Sequence, residues 1–470
     1  MAPAERYGFY APSATMKRYL ESSYDTEFTH TDAHSVPVVR GLPGLGVALQ
    51  LHTNALQFFL RTVRQYGDRV ELRILGRRVL LLANPSDVEA VLILNTADFG
   101  RSTEAKRLRP VFGDGIYSSE GERWRKQRRV IQPAFHHERI MKYSSTIIER
   151  MTERTGGWRH GQTLDAFKEM TAFSTDVICE VILGQEQTPD AKAVADSVAV
   201  VFENLRVEIL YLDLWRKLPF PRSVRWNRAI QTLDAAINNM IAERRSHSQE
   251  RENLLSLLLS AKDENGEGMS DEYVHDEVVT MFVTGQETSA VALSWAIALL
   301  AQHPDVQEET AAEIAQVTNG GALTPDDYPR LKFVNAVVQE TLRLYPPLWT
   351  LGRSTIRDTI VGDLPVRAGT EIWIPVHQIH RDARWFTEPD RFNPHRWIDG
   401  ARRPKFSYFP FGGGPRNCVA QHFAMAELVL GLATLLSQFR IRLAPGAKVE
   451  MDAWLTLRPR SGVPVVVSAR

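Results

Sequence analysis

One stretch near the middle of the chain, Asp271 to about Gln302, carries no proline and reads as a single helix. Ser270 stands ahead of it as an N-cap, Asp271 and Glu272 fall in its first turn where the positive end of a helix favours acids, and Pro304 lies just past its end. At ~1.5 Å per residue such a helix reaches across an entire domain. It is apolar on either side of its middle, Met281-Phe282-Val283 before and Ala290-Val291-Ala292-Leu293 after.

The composition allows a sizeable core: 470 residues, 44% hydrophobic and 24% charged. The length is that of two or three ordinary domains, yet no Gly/Ser-rich linker, low-complexity tract or repeat divides it, so one large single-core enzyme competes with several small units. The 56 basic and 56 acidic side chains cancel, which removes the whole-chain basic field that a nucleic-acid partner would need. With only Cys179 and Cys418, a secreted disulfide framework is excluded. Cys179 sits in the apolar run Val177-Ile178-Cys179 and reads as a small buried hydrophobe. The N-terminus lacks a basic, then apolar, secretory pattern, and no run of roughly 18 apolar residues spans a membrane. The expectation is a soluble, cytoplasmic protein.

Residues 1–36 are polar and mixed, an N-terminal arm, and the compact fold begins at the Pro/Gly-rich segment Pro37 to Gly46, giving a catalytic domain over 37–470. Glu71 to Leu75 and Arg78 to Leu82, with a turn at Gly76-Arg77, predict a β-hairpin. Asn84-Pro85-Ser86-Asp87 opens a mainly helical region reaching Thr318, with Glu89 three residues after Ser86 as a capping box. A further helix covers Leu331 to Tyr345, stopped by Pro346-Pro347. Short strands follow between Ser354 and Ile374, turning at Gly362-Asp363 and Ala368-Gly369. A last long helix covers about Val419 to Phe439. The fold class is mainly α with a minor β part.

Around the second cysteine the chain reads Phe411-Gly412-Gly413-Gly414-Pro415-Arg416-Asn417-Cys418-Val419-Ala420. Three glycines and a proline force a tight loop whose backbone can approach a flat ligand closely. The thiol then stands at a helix N-terminus, where unpaired N–H groups favour the thiolate. A lone thiolate does not suit structural zinc, which wants four protein ligands, but suits a haem iron, whose porphyrin supplies the other four. A buried structural cysteine is the ordinary alternative, and a phosphate loop is excluded because no Gly-Lys-Ser/Thr follows.

This segment resembles the haem-binding loop of the cytochrome P-450 family, Phe-x-x-Gly-x-Arg-x-Cys-x-Gly: Phe411, Gly414, Arg416 and Cys418 match, and Ala420 replaces the last glycine. The resemblance implies a single large helix-rich fold enclosing haem b, with Cys418 as the axial ligand of the iron, Phe411 beside the sulfur and Arg416 on a propionate.

The long helix supports it independently. Between apolar flanks lies Thr284-Gly285-Gln286-Glu287-Thr288-Ser289, without one large apolar side chain. Mid-helix glycine costs about 1 kcal/mol relative to alanine, and a buried carboxylate costs several unless paired or neutral. A solvated helix face does not explain a polar break in an apolar helix, whereas a groove over a ligand does, with Glu287 and Thr288 relaying protons to bound dioxygen. The break resembles the family's Ala/Gly-Gly-x-Asp/Glu-Thr-Thr/Ser motif; Thr284 departs from it and leaves the pocket floor more polar.

Further elements are similar to the family's in the same order. Glu340 and Arg343 match Glu-x-x-Arg, and Arg396, in Phe392-Asn393-Pro394-His395-Arg396-Trp397, would complete a buried scaffold triad despite His395 and Trp397. Trp124 with Arg128, and Arg353 of a stretch ending at Asp358, would bind propionates, for which arginine forks are the expected partners. The basic cluster Arg123, Arg125, Lys126, Arg128 and Arg129 reads equally as a solvated face or as the dock of an acidic electron donor. His136-His137 shows no metal spacing.

By resemblance, the chain is a haem-thiolate monooxygenase. It would hydroxylate or epoxidise an apolar small molecule (fatty acid, terpenoid or polyketide), using dioxygen and two electrons from a separate partner, a ferredoxin and its reductase. A pocket would be lined from Ser102 to Tyr117, Val201 to Leu218, Met281 to Gly285, Leu348 to Leu351 and Leu455 to Leu457, with Arg107 or Arg109 available to a carboxylate. A peroxide-driven or coupling/isomerising haem-thiolate enzyme, and a haem sensor or carrier without turnover, are the alternatives.

Overall fold

The computed structural model describes residues 36–184, 220–246 and 253–470 apart from 263–265 and 267, together with 193–194, 196–198 and 200–201. The predicted N-terminal arm 1–36 lies, save for Val36, outside the described residues. The chain divides into two compact units.

The first unit comprises residues up to 103, then 340–418 and 448–461. Its centre is a six-stranded sheet in the order Val38–Val39, Arg69–Ile74, Arg77–Leu82, Glu371–Ile374, Leu351–Thr355, Phe99–Arg101. The run Val79-Leu80-Leu81-Leu82 serves both faces, because successive side chains of a strand point to opposite sides. Val79 and Leu81 join Phe58, Phe59, Trp349 and Leu457 in one core, while Leu80 and Leu82 join Leu92, Ile372, Ile374, Phe406 and Phe409 in the other.

Two local predictions shift. The hairpin turns at Leu75-Gly76, one residue early, with Ile74 paired to Arg77 and both turn residues at positive φ (49° and 79°). A two-residue turn of this hand matches strand twist, and here one of its two left-handed positions falls on a leucine. The helix at 85 is capped by Asn84, whose side chain accepts the Ser86 N–H, with Pro85 at the first helical position. Glu89 is therefore no capping-box partner of Ser86; it pairs with Lys405 at 2.6 Å.

The second unit, 104–339, 419–447 and 462–470, is helical. The long helix runs Asp271–Gln302 with Ser270 accepting the Tyr273 N–H, as predicted. It packs on Ala166–Leu183, and every residue from Ser289 to Leu300 is buried, as an all-apolar helix must be. A three-stranded sheet of Phe439–Leu443, Pro464–Ala469 and Thr163–Asp165 closes this unit.

The expected Glu340–Arg343–Arg396 triad is present in the first unit and fully internal. Glu340 accepts from Arg343 Nε and Nη2 at 2.8 Å each, from Arg396 Nε at 2.9 Å and from the Asn393 N–H at 3.0 Å. Trp397, a departure from the family pattern, donates its indole N–H to the same carboxylate at 2.9 Å. Burial alone would push the Glu340 carboxyl up, but the two guanidinium groups hold it below the usual range. Removing it strands two buried arginines, so Glu340→Ala should destabilise the fold by about 3–5 kcal/mol, measured by denaturant unfolding.

Candidate functional site

In the first unit, the Cys418 N–H donates to the Phe411 carbonyl at 2.9 Å, closing the predicted loop. The glycines answer first to the protein itself. A Cβ on Gly414, which has φ +72°, would overlap the Leu92 carbonyl oxygen, and one on Gly413 would strike the Phe406 ring. The loop is thus seated by close backbone approach on the core that holds Leu92 and Phe406. Phe411 and Arg416 are half-buried, and Cys418 is exposed. The helix after it begins only at Gln421, with Ala420 at the N-cap, rather than near Val419. Cys418 is therefore two residues ahead of the cap, and since a helix terminus acts mostly within its own turn, that field contributes less to the thiolate than expected.

Arg353 lies on the strand Leu351–Thr355, opposite Arg101 on one side and Ile372 on the other, half-buried, with one N–H on the Gly352 carbonyl at 2.8 Å. Asp358 accepts the Ala368 N–H at 2.8 Å and serves the turn there. A residue not singled out in the sequence, His380, is wholly buried, and burial beside Arg343 pushes it down to about 3. The neutral ring accepts the Phe409 N–H at Nε2 (2.9 Å), fixing the backbone two residues before Phe411.

In the second unit the polar break of the long helix sorts into two faces. Gly285 faces Ile178 of the neighbouring helix, which a Cβ would meet at 2.9 Å, so this glycine serves helix packing. Gln286 donates to Thr175 at 2.7 Å and Ser289 to Glu427 at 2.6 Å, both inward. Thr284 and Thr288 stand on the other face and are half-exposed, and Glu287 is buried. Each threonine hydroxyl donates one turn back, Thr288 to Thr284 O at 2.8 Å and Thr284 to Thr280 O at 2.7 Å. The extra hydroxyl at 284 is thus spent on the backbone, so the floor there is less polar than the sequence implied.

Trp124 and Arg128 share one face of Gly121–Ile131 and are half-buried. Of the basic cluster, Arg123 turns in to Asp114 (2.9 Å) and lies over the Tyr273 ring at 4.1 Å, Arg125 pairs with Glu122, and Lys126 and Arg129 are exposed. Arg109 pairs with Asp114 at the surface, an ordinary ion pair. The lining predicted for 201–218 lies, apart from Val201, outside the described residues.

The profile of the cytochrome P-450 family matches residues 36–462. The chain belongs to the cytochrome P-450 family. Cyclooctatin synthase of Streptomyces melanosporofaciens is 35% identical over 89% of this chain and 92% of its own length. Cyclooctat-9-en-7-ol 5-monooxygenase of the same organism is 35% identical over 86% and 89%. The crystal structure of the haem domain of a cytochrome P-450, P-450DA, superposes with TM-score 0.83 at 25% identity, covering 93% of this chain and 98% of that one. The protein is a cytochrome P-450 monooxygenase that takes haem iron through a cysteine thiolate, with dioxygen and a redox partner as its family's co-reactants.

The residues fit that group. The thiol of Cys418 is exposed, its backbone is held by the Phe411 carbonyl, and half-buried Arg416 stands two residues ahead of it. Burial pushes the Cys179 thiol up to about 12, whereas the Cys418 side chain is exposed. No helix of the described residues is long and apolar enough to cross a membrane.

Sequence reasoning missed Glu427. It sits inside the apolar helix Gln421–Gln438, wholly internal, pushed up to about 7 by burial and only partly relieved by the Ser289 and Ser174 hydroxyls. Because its folded pKa lies above its unfolded value, its contribution to stability is full below about pH 4 and lost as pH rises through about 7. The unfolding free energy from denaturant titrations between pH 5 and 8 should fall on that account by on the order of 3 kcal/mol in the wild type, and Glu427→Gln should flatten the fall.

Proposed function

We propose that Cys418 supplies the thiolate, that Glu287 and Thr288 deliver protons, and that the substrate is a terpenoid-type skeleton oxidised at a C–H or C=C bond. The observation that carries this is the single exposed cysteine on a loop locked to the sheet core, since a thiolate ligand needs both access and a fixed backbone. Trp124 and Arg128 on one helix, Arg353 on a strand and Arg416 on the cysteine loop, all half-buried, would hold the two propionates, and Phe411 would shield the sulfur. Haem supplies dioxygen binding and transfer of one oxygen atom.

The Thr288 hydroxyl, anchored as donor to Thr284 O, keeps its lone pairs for accepting a hydrogen bond, and the buried carboxyl of Glu287, next to it in the chain, would be the acid–base partner of the relay. Electrons would come from a separate ferredoxin and its reductase in the cytoplasm, with exposed Lys126 and Arg129 favouring an acidic donor. The terpenoid assignment draws on the relative whose name specifies cyclooctat-9-en-7-ol, a cyclic unsaturated alcohol.

Reduced wild-type protein under carbon monoxide should show the red-shifted Soret band of thiolate-ligated haem, and Cys418→Ser should lose it; an unshifted wild-type band refutes the assignment. Thr288→Ala should lower product formation on the order of 100-fold while electron donor is still consumed, read as product per donor oxidised.

A further inference from the structure

The loop Gly113–Ser119 is tied to two helices by side chains that the reaction above does not employ. On the long helix, Asp276 Oδ2 accepts the Asp114 N–H at 2.6 Å and Glu277 Oε2 accepts the Ile116 N–H at 3.1 Å. One turn on, Gly115 lies so close to Thr280 that a Cβ would overlap the threonine hydroxyl. On Gly121–Ile131, Gln127 donates to the Asp114 carbonyl at 2.7 Å and Arg123 pairs with the Asp114 carboxylate. Within the loop, Ser118 donates to Gly113 O at 2.6 Å, and the Tyr117 ring lies tilted against that of Phe112, just ahead of the loop, with centroids 4.7 Å apart. The segment thereby joins the helix carrying Trp124 and Arg128 to the helix carrying Glu287 and Thr288. Positions 277, 280, 281, 284 and 288 rise along one stripe of the long helix, with Glu277 ~16 Å from Thr288 along the axis.

Glu277 is the exceptional member of this set. It is 0% exposed, yet its Oε1 has no hydrogen-bond partner, and neither has the Thr280 hydroxyl three residues along. Asp276 stands beside it on its own helix, and Asp114 faces the pair from the loop. From Gly121–Ile131 comes Arg123, already engaged by Asp114 and by the Tyr273 ring. From Pro221–Ser246 comes Asp234, 3.2 Å from His275, which also lies 3.3 Å from Asp276. A charge on Glu277 would thus meet the like charge of Asp276, and the one cation that reaches it, Arg123, is paired with Asp114. Burial pushes its carboxyl up to about 8, with Asp276 adding to the rise and the Ile116 N–H and the Arg123 charge opposing it. An ionised carboxylate there needs water, and the loop must lift to admit it.

We propose that Glu277 is a positioning residue: neutral, it seats Gly113–Tyr117 against the stripe of the long helix that leads to Thr284 and Thr288, and its ionisation unseats that segment. This rests on the reading that the Thr284–Thr288 face meets substrate. The sign follows from a raised pKa: the seat is strongest below the ordinary carboxyl range and is lost as pH rises through about 8.

Amide hydrogen exchange of the haem-loaded protein from pH 6 to 9, corrected for intrinsic rates, tests it. Protection of Asp114 and Ile116 should fall about tenfold between pH 7 and pH 9 in the wild type, and less than about twofold in Glu277→Gln, whose amide oxygen still accepts the Ile116 N–H. A flat wild-type profile, or a glutamine variant that keeps the wild-type fall, overturns the proposal. Should Glu277→Gln fail to fold, the wild-type profile decides alone: a fall that runs on from pH 6 and levels off above about 8 supports it, and a flat one sinks it. Exchange is read without turnover, so failure of the proton-delivery assignment would show in the Thr288→Ala assay and leave this result standing.

Discussion

The Glu340 carboxylate meets no water and is shared by two guanidinium groups, an indole and a backbone amide. Its effect travels by hydrogen bonds toward the cysteine. Arg343 carries on to the carbonyls of His380 and Pro389, and Arg396 to those of Thr387 and Glu388. The His380 ring takes the Phe409 N–H, and the Phe411 carbonyl takes the Cys418 N–H. A charge buried for no catalytic purpose therefore sets the backbone path on which the thiol stands. Its net worth to stability is small when intact and large when broken, which is how a buried ion pair enforces one geometry over others.

The three notable buried carboxyls show how environment assigns state. Glu340 has two cations and stays ionised, whereas Glu427 has hydroxyls and Glu277 a single amide, and both are driven toward the neutral form. The first unit thus stores fixed charge under the cysteine loop, and the second stores exchangeable protons inside its helices.

Much of this was legible in the sequence. The long helix, its cap and its polar break are local signals, and so are the Glu-x-x-Arg spacing and the Gly-rich loop. What was not legible depends on partners distant in the chain. Ser86 looked like the cap until Asn84 accepted the amide, because capping chemistry is common to both residues. Gly285 and Gly414 looked like room for a ligand, yet each answers to a neighbour, Ile178 or Leu92, that no spacing rule names. Glu277 and Glu427 carry no motif at all; each is an acid in an apolar helix, and only the packing of other helices and loops decides that it stays neutral.

The threonine ladder on the long helix has a mechanical side. The Thr280 and Thr284 carbonyls are each shared between a main-chain amide and a hydroxyl four residues on. Such sharing weakens the main-chain bond and lets a helix bend there. The half-exposed face around Thr284 and Thr288 is then the compliant part of an otherwise close-packed rod. A bulky ring system could be accommodated by flexing two carbonyls, with the buried half of the helix left undisturbed.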